Sequence, residues 1–381
     1  MKKTKKKKLK CKYVSKKHIT KEGVYRANKS ILPYISDERK RGMITSDVIK
    51  IIKKRLKKLP KNSFNKKEID KKYYWKGVDN NLPSCTLDLP IIEVDIKTKY
   101  KSISWKDTKQ PKWETIKKSC IIADKKTKRI LAVFVYSKDD TNITKCVEDS
   151  FELIELIEKY LKLKNKIFYS GFDTKLKNKK SIKLDRQDRY TGKNWLEGMQ
   201  RYLDPSCGHN ILAYYKRHPD ANNDKKYLEL LLWQYCCLYE LEKRHCPAVA
   251  QFRYDLVKDT NFPGCFTPSC PLELNPSTCM GASINFSSDT HADSSVEGTT
   301  ETIIWRPDKT RKIPYLFGNS LIEKSFSIHD DCMIYQVGTD PHGTLNTGNH
   351  GGVGFVNLSK KNLVSNTEYN KKWYDLWNKY F

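Results

Sequence analysis

The chain has 381 residues, of which 38% are hydrophobic and 11% aromatic, and it carries a formal net charge of +29. This length and apolar content suffice for a globular core in one large or two moderate domains. No stretch approaches the roughly 18 consecutive apolar residues that a membrane helix needs. No apolar stretch follows the lysines that begin at Lys2, so we expect an intracellular protein with reduced cysteines.

The positive charge is concentrated near the N-terminus. Residues 1–80 hold 28 Lys or Arg against 7 Asp or Glu, a balance of 28 − 7 = +21, whereas the rest holds 45 against 37, or +8. DNA or RNA is a natural partner for such a segment, because each phosphate contact releases counterions. The alternative is a solvated tail whose lysines, 60 of the 73 basic residues, reflect the coding bias of an AT-rich genome.

Residues 1–80 are predicted to form a basic, low-complexity tail. Residues 1–30 hold too many like charges to be buried and are expected to be disordered, with Lys2–Lys10 as a possible nuclear address. From 47 to 59, apolar residues recur at helical spacing among lysines, which predicts a short basic amphipathic helix. Ordered structure is expected to begin near Leu82.

Residues 81–250 are predicted to form an α/β region with supporting helices. Alternating apolar stretches indicate strands, and apolar residues at helical spacing indicate helices. Cys236 and Cys237 are interpreted as packing residues, and the charged segment Lys175–Arg189 as a solvated loop. The predicted elements are the strand Ile91–Ile96, the hairpin Cys120–Asp124 and Arg129–Tyr136, the helix 148–162 and a helix from Asp224 to Pro247.

Residues 251–381 consist of short alternating stretches separated by Gly, Pro, Ser and Asn, which is typical of a β-sandwich or barrel. Two of the predicted strands, Met280–Phe286 and Cys332–Val337, lead to histidine motifs. The predicted fold class is α+β with a mostly β core. This core is expected to be a double-stranded β-helix, or jelly roll, with supporting helices, a C-terminal helix and the basic tail.

Three His-x-Asp pairs occur, beginning at His218, His291 and His329. One such pair is weak evidence, because 8 × 26/381, or about 0.5, is expected by chance from the numbers of His and Asp. A metal site in a jelly roll also needs a second histidine several strands later. Only His291 has one at a suitable distance, since His342 follows 51 residues later.

The local pattern supports this choice of ligands. On an extended segment, positions i and i+2 face the same way, so His291 and Asp293 are expected to point together. Two neutral imidazoles and one carboxylate hold one face of Fe(II) and leave the other positions open for a co-substrate and O₂. His291, Asp293 and His342 are therefore predicted to be catalytic metal ligands. Surface-turn histidines and a Zn²⁺ site are the alternatives, and the jelly-roll context favours iron.

With these residues, the sequence resembles the Fe(II)/2-oxoglutarate dioxygenase superfamily. More particularly, it is similar to the TET and base-J-binding-protein branch, which oxidises the 5-methyl group of pyrimidines in DNA. The resemblance lies in Asn285–Ser294, the strand Glu301–Trp305 and the segment from Asp330 to His342. It spans residues 262–358, roughly a quarter of the chain, and implies Fe(II) and 2-oxoglutarate as cofactor and co-substrate.

The sequence departs from the family pattern after His342. The family has an Arg on the following strand that pairs with the far carboxylate of 2-oxoglutarate, but no Arg follows Arg311 in this chain. Lys360, His350 and Asn285 are the candidates for co-substrate binding, although a Lys lacks the bidentate fork of an Arg. Ascorbate or another small chelator is the alternative co-substrate.

The predicted function is an Fe(II)-dependent dioxygenase that oxidises the methyl group of 5-methylcytosine or thymine in DNA. A base in a duplex must be flipped out to reach the iron, and Trp305 and Tyr335 are candidates to hold it, with core packing as the alternative for both. A protein side-chain hydroxylase and a catalytically inactive nucleic-acid-binding protein are the competing functions. DNA is the expected partner and the nucleus the expected location.

Other metal and nucleotide motifs are weak or absent in the sequence. Four cysteines in the C-terminal half lack a Cys-x-x-Cys pair, which argues against a zinc site. No P-loop, dinucleotide fingerprint or Gly-x-Ser-x-Gly motif occurs, so the corresponding NTPase, dehydrogenase and hydrolase functions are not predicted. The four cysteines are Cys246, Cys265, Cys270 and Cys279.

Overall fold

The computed structural model describes residues 46–61, 65–104, 114–163, 190–204, 209–214, 221, 224–261, 270–293, 295–307, 315–345, 352–358, 367 and 371. Among these residues, no helix has the length and apolar character needed to cross a membrane. The helices are α1 (Ser46–Lys57), α2 (Thr141–Asp149), α3 (Phe151–Leu163), α4 (Lys225–His245) and α5 (Pro247–Asp259). The strands are β1 (Tyr74–Trp75), β2 (Ile91–Val94), β3 (Glu114–Thr115), β4 (Cys120–Asp124), β5 (Arg129–Tyr136), β6 (Tyr190–Asp204), β7 (His209–Tyr214), β8 (Cys279–Ser288), β9 (Thr300–Pro307), β10 (Tyr315–Asn319), β11 (Lys324–Ile328), β12 (Cys332–Val337), β13 (His342–Leu345) and β14 (Gly352–Leu358).

Two of the helices, α2 and α4, begin at an aspartate whose side chain caps the first turn. Asp224 caps α4 by accepting a hydrogen bond from the backbone N–H of Tyr227, as predicted. Asp140 caps α2 in the same way, through Asn142. The single helix predicted for 148–162 is therefore wrong at its start, because α2 begins at the Asp140 cap and a break at Ser150 separates it from α3.

Helix α1 packs onto the folded part of the protein. Val48 and Ile52 are buried, and the Arg55 guanidinium lies 4.3 Å from the ring centroid of Trp233 in α4. The expectation that ordered structure begins near Leu82 is thus corrected, since the apolar stripe of α1 covers α4. Residues 1–45 and the predicted loop Lys175–Arg189 lie outside the described residues.

Two sheets form the β part of the described chain. The larger has the strand order β2-β4-β5-β12-β9-β14-β8-β6-β7, with β1 added beside β5, and the smaller has the order β13-β10-β11-β3. The hairpin of β4 and β5 and the strand β12 have the bounds predicted from the sequence. The protein is a mixed α+β structure, and β6 and β7 extend its larger sheet beyond the predicted strands.

The C-terminal strands cross repeatedly between the two sheets. After β8 in the larger sheet, His291 pairs with His342 of β13 in the smaller sheet. The chain returns in β9, crosses again for β10 and β11, returns in β12, crosses in β13 and returns in β14. These crossings bring the end of β8 and the start of β13 together, although 51 residues separate their histidines.

Apolar side chains cover both faces of the larger sheet. On one face, residues of α1, α2 and α4 pack against Val133, Met333 and Tyr335. On the other face, Phe134 packs against Phe326 of the smaller sheet, with ring centroids 5.7 Å apart. The sheet is thus held between a helical layer and the smaller sheet, and this rigid frame positions the residues discussed next.

Candidate metal centre

The backbone brings the two histidines of the predicted site side by side. His291 N–H donates to the His342 carbonyl at 2.8 Å, and His342 N–H donates to the His291 carbonyl at 2.9 Å. Asp293 is fixed by its own N–H, which donates to the carbonyl of Gly338 at 2.9 Å. Reciprocal hydrogen bonds of this kind fix the relative positions of two strands, so the three residues are held by main-chain contacts.

Gly343 permits this close approach of two chain segments. A Cβ at this position would lie 2.9 Å from the Asp289 carbonyl oxygen and from Thr290 Cα, both of which belong to the facing backbone. Any larger residue would push the two segments apart. The glycine that follows His342 is therefore required by packing at the site.

Both imidazoles are oriented by a hydrogen bond from Nδ1 to a backbone carbonyl. His291 Nδ1 lies 2.8 Å from the carbonyl oxygen of Asp289, and His342 Nδ1 lies 2.8 Å from that of Asp340. A carbonyl oxygen only accepts hydrogen bonds, so each Nδ1 carries a proton, and each ring presents the lone pair of Nε2 when it is neutral, as it must be to bind a metal. Metal-binding histidines are oriented in this way by backbone carbonyls.

The ligand atoms of His291, Asp293 and His342 all lie within 4.8 Å of one another. The side chains of His291 and Asp293 are partly exposed, at 32% and 26%, whereas that of His342 is buried. The cluster is thus anchored in the protein and accessible from one side. Two imidazoles and a carboxylate suit Fe(II) or another divalent transition metal, and a face open to solvent leaves room for further ligands.

A second carboxylate, which the sequence analysis missed as a site residue, adjoins this cluster. Glu301 Oε2 lies 3.1 Å from His342 Nε2 and accepts a hydrogen bond from Gln336 Nε2 at 2.7 Å. Glu301 is only 2% exposed. The sequence does place an acidic residue in a strand that is otherwise apolar, with Ile303, Ile304 and Trp305 after it. Its contact with Gln336 of β12, however, depends on the register in which β9 and β12 pair, and the sequence does not reveal that register.

The electrostatics of the cluster reflect this contact. Burial lowers the pKa of His342, but the charge of Glu301 and the hydrogen bond to it outweigh burial and raise that pKa to about 9. Burial raises the pKa of Glu301, but the His342 charge and hydrogen bonds involving His342, Asp293 and Gln336 bring it well below its usual value. The site therefore favours an ionised Glu301 carboxylate next to a positive charge at His342.

Buried ion pairs hold the strands that carry these groups. The Arg253 guanidinium makes two hydrogen bonds of 3.0 Å to the Glu242 carboxylate and a third to the carbonyl of Thr300, which precedes Glu301. On the other side, Arg129 of β5 pairs with Asp340, whose carbonyl orients His342. The helices and β5 thus hold β9 and the His342 segment in place.

The structure does not bring the two predicted base-binding residues to the cluster. Tyr335 is fully buried on the helical face of β12, and its hydroxyl lies 2.8 Å from Nδ1 of the buried His245. Trp305 is buried in the core between the sheets. Successive side chains of β12 point to opposite faces of the sheet. Tyr335 therefore points away from the face on which Gln336 contacts Glu301. The side chain of Asn285, and all of His350 and Lys360, lie outside the described residues.

The described cysteines give no support for a zinc site. Cys236 and Cys237 are buried in the core, in agreement with their interpretation as packing residues. Cys246, Cys270 and Cys279 are also buried and free, and Cys265 lies outside the described ranges. In the part of the chain that is described, His291, Asp293 and His342 form the one cluster of metal-ligating groups.

No family model and no curated relative matches the chain. A solved structure, "NgTET1 in complex with 5mC DNA", aligns over 73% of this chain and 85% of its own, with 11% sequence identity and a TM-score of 0.43. The activity must therefore be inferred from the site itself.

Proposed function

We propose that this protein is a non-haem Fe(II) dioxygenase with His291, Asp293 and His342 as metal ligands. The observation that carries the proposal is the orientation of the two rings, each through an Nδ1 contact of 2.8 Å to a backbone carbonyl two residues earlier. Both Nε2 atoms are thereby directed to the cluster that contains Asp293. Satisfied Nδ1 atoms and a neighbouring carboxylate are the arrangement that a two-histidine, one-carboxylate metal site requires.

The strand order supports the jelly-roll assignment that goes with this site. From β8 to β14 the chain repeatedly crosses between two facing sheets. Double-sheet jelly rolls are built in this way. The metal cluster lies where the segment after β8 meets β13, so the proposed fold and the proposed site support each other.

Bound Fe(II) would supply activation of O₂ for oxidation of a C–H bond, with electrons from a co-substrate, for which 2-oxoglutarate is the first candidate and ascorbate the second. The protein contributes the orientation of the ligands. Burial of His342 keeps one side of the centre dry, and the exposed edges of His291 and Asp293 admit small molecules from the other side. Lys360 and His350 remain the proposed partners of the co-substrate carboxylate.

We propose a 5-methylpyrimidine in DNA as the substrate and the nucleus as the location. The charge of +21 on residues 1–80 suits a polyanionic partner. The resemblance of the segment around His291 to the TET and base-J-binding-protein branch supports a methylated base over a protein side chain.

The test is oxidation of methylated DNA by Fe(II)-loaded protein, with 2-oxoglutarate or ascorbate, followed by mass spectrometry of the nucleosides. His291→Ala is expected to abolish product formation. His329→Ala is the matched control, because His329 also begins a His-x-Asp pair but its Nε2 contacts Ser327 Oγ at 3.0 Å in the smaller sheet. Equal product from wild type and His291→Ala would contradict the proposal, and iron binding without any oxidised base would exclude this substrate.

A further inference from the structure

One side of α1 and of the turn after it carries a row of lysines. Residues 46–61 hold seven Lys or Arg against one Asp, a balance of 7 − 1 = +6. Five of the lysines are exposed and take part in no ion pair among the described residues. Their spacing keeps them on one side of a helix of 3.6 residues per turn. These five, called the lysine row below, are Lys53, Lys54, Lys57, Lys58 and Lys61.

The opposite side of α1 fixes the lysine row on the folded protein. Its apolar stripe is buried, and its one arginine, Arg55, lies 3.4 Å from the Asp149 carboxylate and 3.8 Å from that of Glu229. Beyond the helix, Arg244 Nη1 donates to the Pro60 carbonyl at 2.6 Å. These two carboxylates therefore face Arg55 on the inner side of α1, and the row on the outer side is held in place without a counter-charge.

An array of like charges at fixed positions fits a polyanion. Lysines one turn apart, such as Lys53 and Lys57, repel each other and destabilise a helix, and a row of phosphates would remove that repulsion. The 12 residues of α1 extend about 18 Å at roughly 1.5 Å per residue. A DNA duplex carries one phosphate per about 1.7 Å of its axis, so about ten phosphates lie along this length. Each lysine of the row can therefore meet its own phosphate.

Other partners of a basic helix fit this surface less well. A helix that lies on a membrane buries its apolar side in the lipid, but the apolar stripe of α1 is already packed in the core, with Val48 and Ile52 buried. Interfaces between proteins are depleted in lysine at their centres. Lysine is a compact point charge that binds phosphate without a defined geometry, so a nucleic-acid backbone is the partner that this surface favours.

We propose that the lysine row is a docking surface for the phosphate backbone of duplex DNA, formed by the folded protein in addition to residues 1–45. The inference rests on the proposed function for its partner, because that function supplies a DNA duplex as substrate. Phosphate contacts position a duplex and carry no sequence information. The row therefore adds affinity for DNA without selecting the base that is oxidised.

The test measures binding of the full chain to a fluorescent DNA duplex at several salt concentrations, without metal or co-substrate. Replacing the five lysines of the row with Gln should weaken binding about tenfold or more at roughly 0.1 M salt. It should also lower the slope of log K against log salt concentration by about 4, because each phosphate contact contributes about 0.9. The matched control replaces with Gln five surface lysines that already pair with carboxylates, so it removes the same charge and should leave the slope unchanged. These control residues are Lys72, Lys76, Lys97, Lys226 and Lys324.

Three results would overturn the inference. The first is an unchanged slope when the row is replaced, and the second is an equal decrease in the control variant, which would indicate an effect of net charge alone. The third is loss of binding to phosphatidylserine vesicles with DNA binding intact, which would make the partner a membrane. A variant with Arg at the five positions keeps the charges and should bind DNA like wild type, so a loss there as large as with Gln would also contradict the inference.

The same measurements separate this inference from the proposed function. Binding that depends on the lysine row, in a protein that oxidises no methylated base, would contradict the proposed function alone. Oxidation of DNA with a slope that does not depend on the row would contradict the inference alone.

Discussion

Replacing Arg253 with Met should destabilise the protein strongly, although Arg253 lies outside the metal cluster. Arg253 and Glu242 are both 0% exposed, and their two hydrogen bonds are 3.0 Å long. Glu242 also accepts a hydrogen bond from Thr300 Oγ1 at 3.1 Å. Removing the guanidinium leaves a buried carboxylate without its counter-charge, which costs about 3–5 kcal/mol.

The matched control is Arg306→Met. Arg306 forms the same bidentate contact with Asp331, at 2.9 and 2.6 Å, but its side chain is 26% exposed. The Asp331 side chain is 11% exposed, and shortening its partly exposed partner opens it further to water, so the expected loss is smaller, about 1–2 kcal/mol. The two substitutions thus compare the loss of stability when the same kind of ion pair is broken in a fully buried and in a partly exposed position.

Urea unfolding at neutral pH, followed by far-UV circular dichroism, measures both effects. The double variant Glu242→Leu/Arg253→Met should be more stable than Arg253→Met alone, because it leaves no isolated charge. Losses of equal size in Arg253→Met and Arg306→Met would refute the reasoning from burial. A double variant no more stable than the single one would refute the attribution to an unpaired carboxylate.

Three further predictions test the site and its surroundings. Gly343→Ala places a Cβ against the backbone at Asp289 and should cost about 1–3 kcal/mol of folding stability, with weaker Fe(II) binding in a chelator competition. Tyr335→Phe leaves the buried His245 Nδ1 without its hydroxyl partner and should cost about 1–3 kcal/mol in urea unfolding, while metal affinity stays unchanged. Replacing the lysines of Lys2–Lys10 with Gln should reduce the slope of log K for DNA against log salt concentration; an unchanged slope would exclude this segment from the interface.

The sequence predicted those elements whose signals are local. The hairpin of β4 and β5 and the strand β12 were predicted with their observed bounds, because apolar runs and a polar turn mark them. Spacing and strand context also selected His291, Asp293 and His342 from the available His-x-Asp pairs, and the structure brings these three together.

The parts that were missed depend on long-range contacts. Glu301 reaches His342 only because β9 pairs with β12 in one particular register, with Glu301 opposite Gln336. The pairing of Arg129 with Asp340 joins residues 211 positions apart. Tyr335 was a candidate to hold the base, with core packing as the alternative, and the alternation of side chains along β12 turns it toward the helices. No local pattern reveals these contacts.

The central claim is that one metal ion binds at His291, Asp293 and His342, and anaerobic Fe(II) binding tests it most directly. The wild-type chain and His329→Ala should each bind about one Fe(II) per chain, as expected for a single site with this ligand set, whereas His291→Ala and His342→Ala should lose tight binding while remaining folded. Wild-type Fe(II) affinity in His291→Ala, or equal losses in His291→Ala and His329→Ala, would contradict the account.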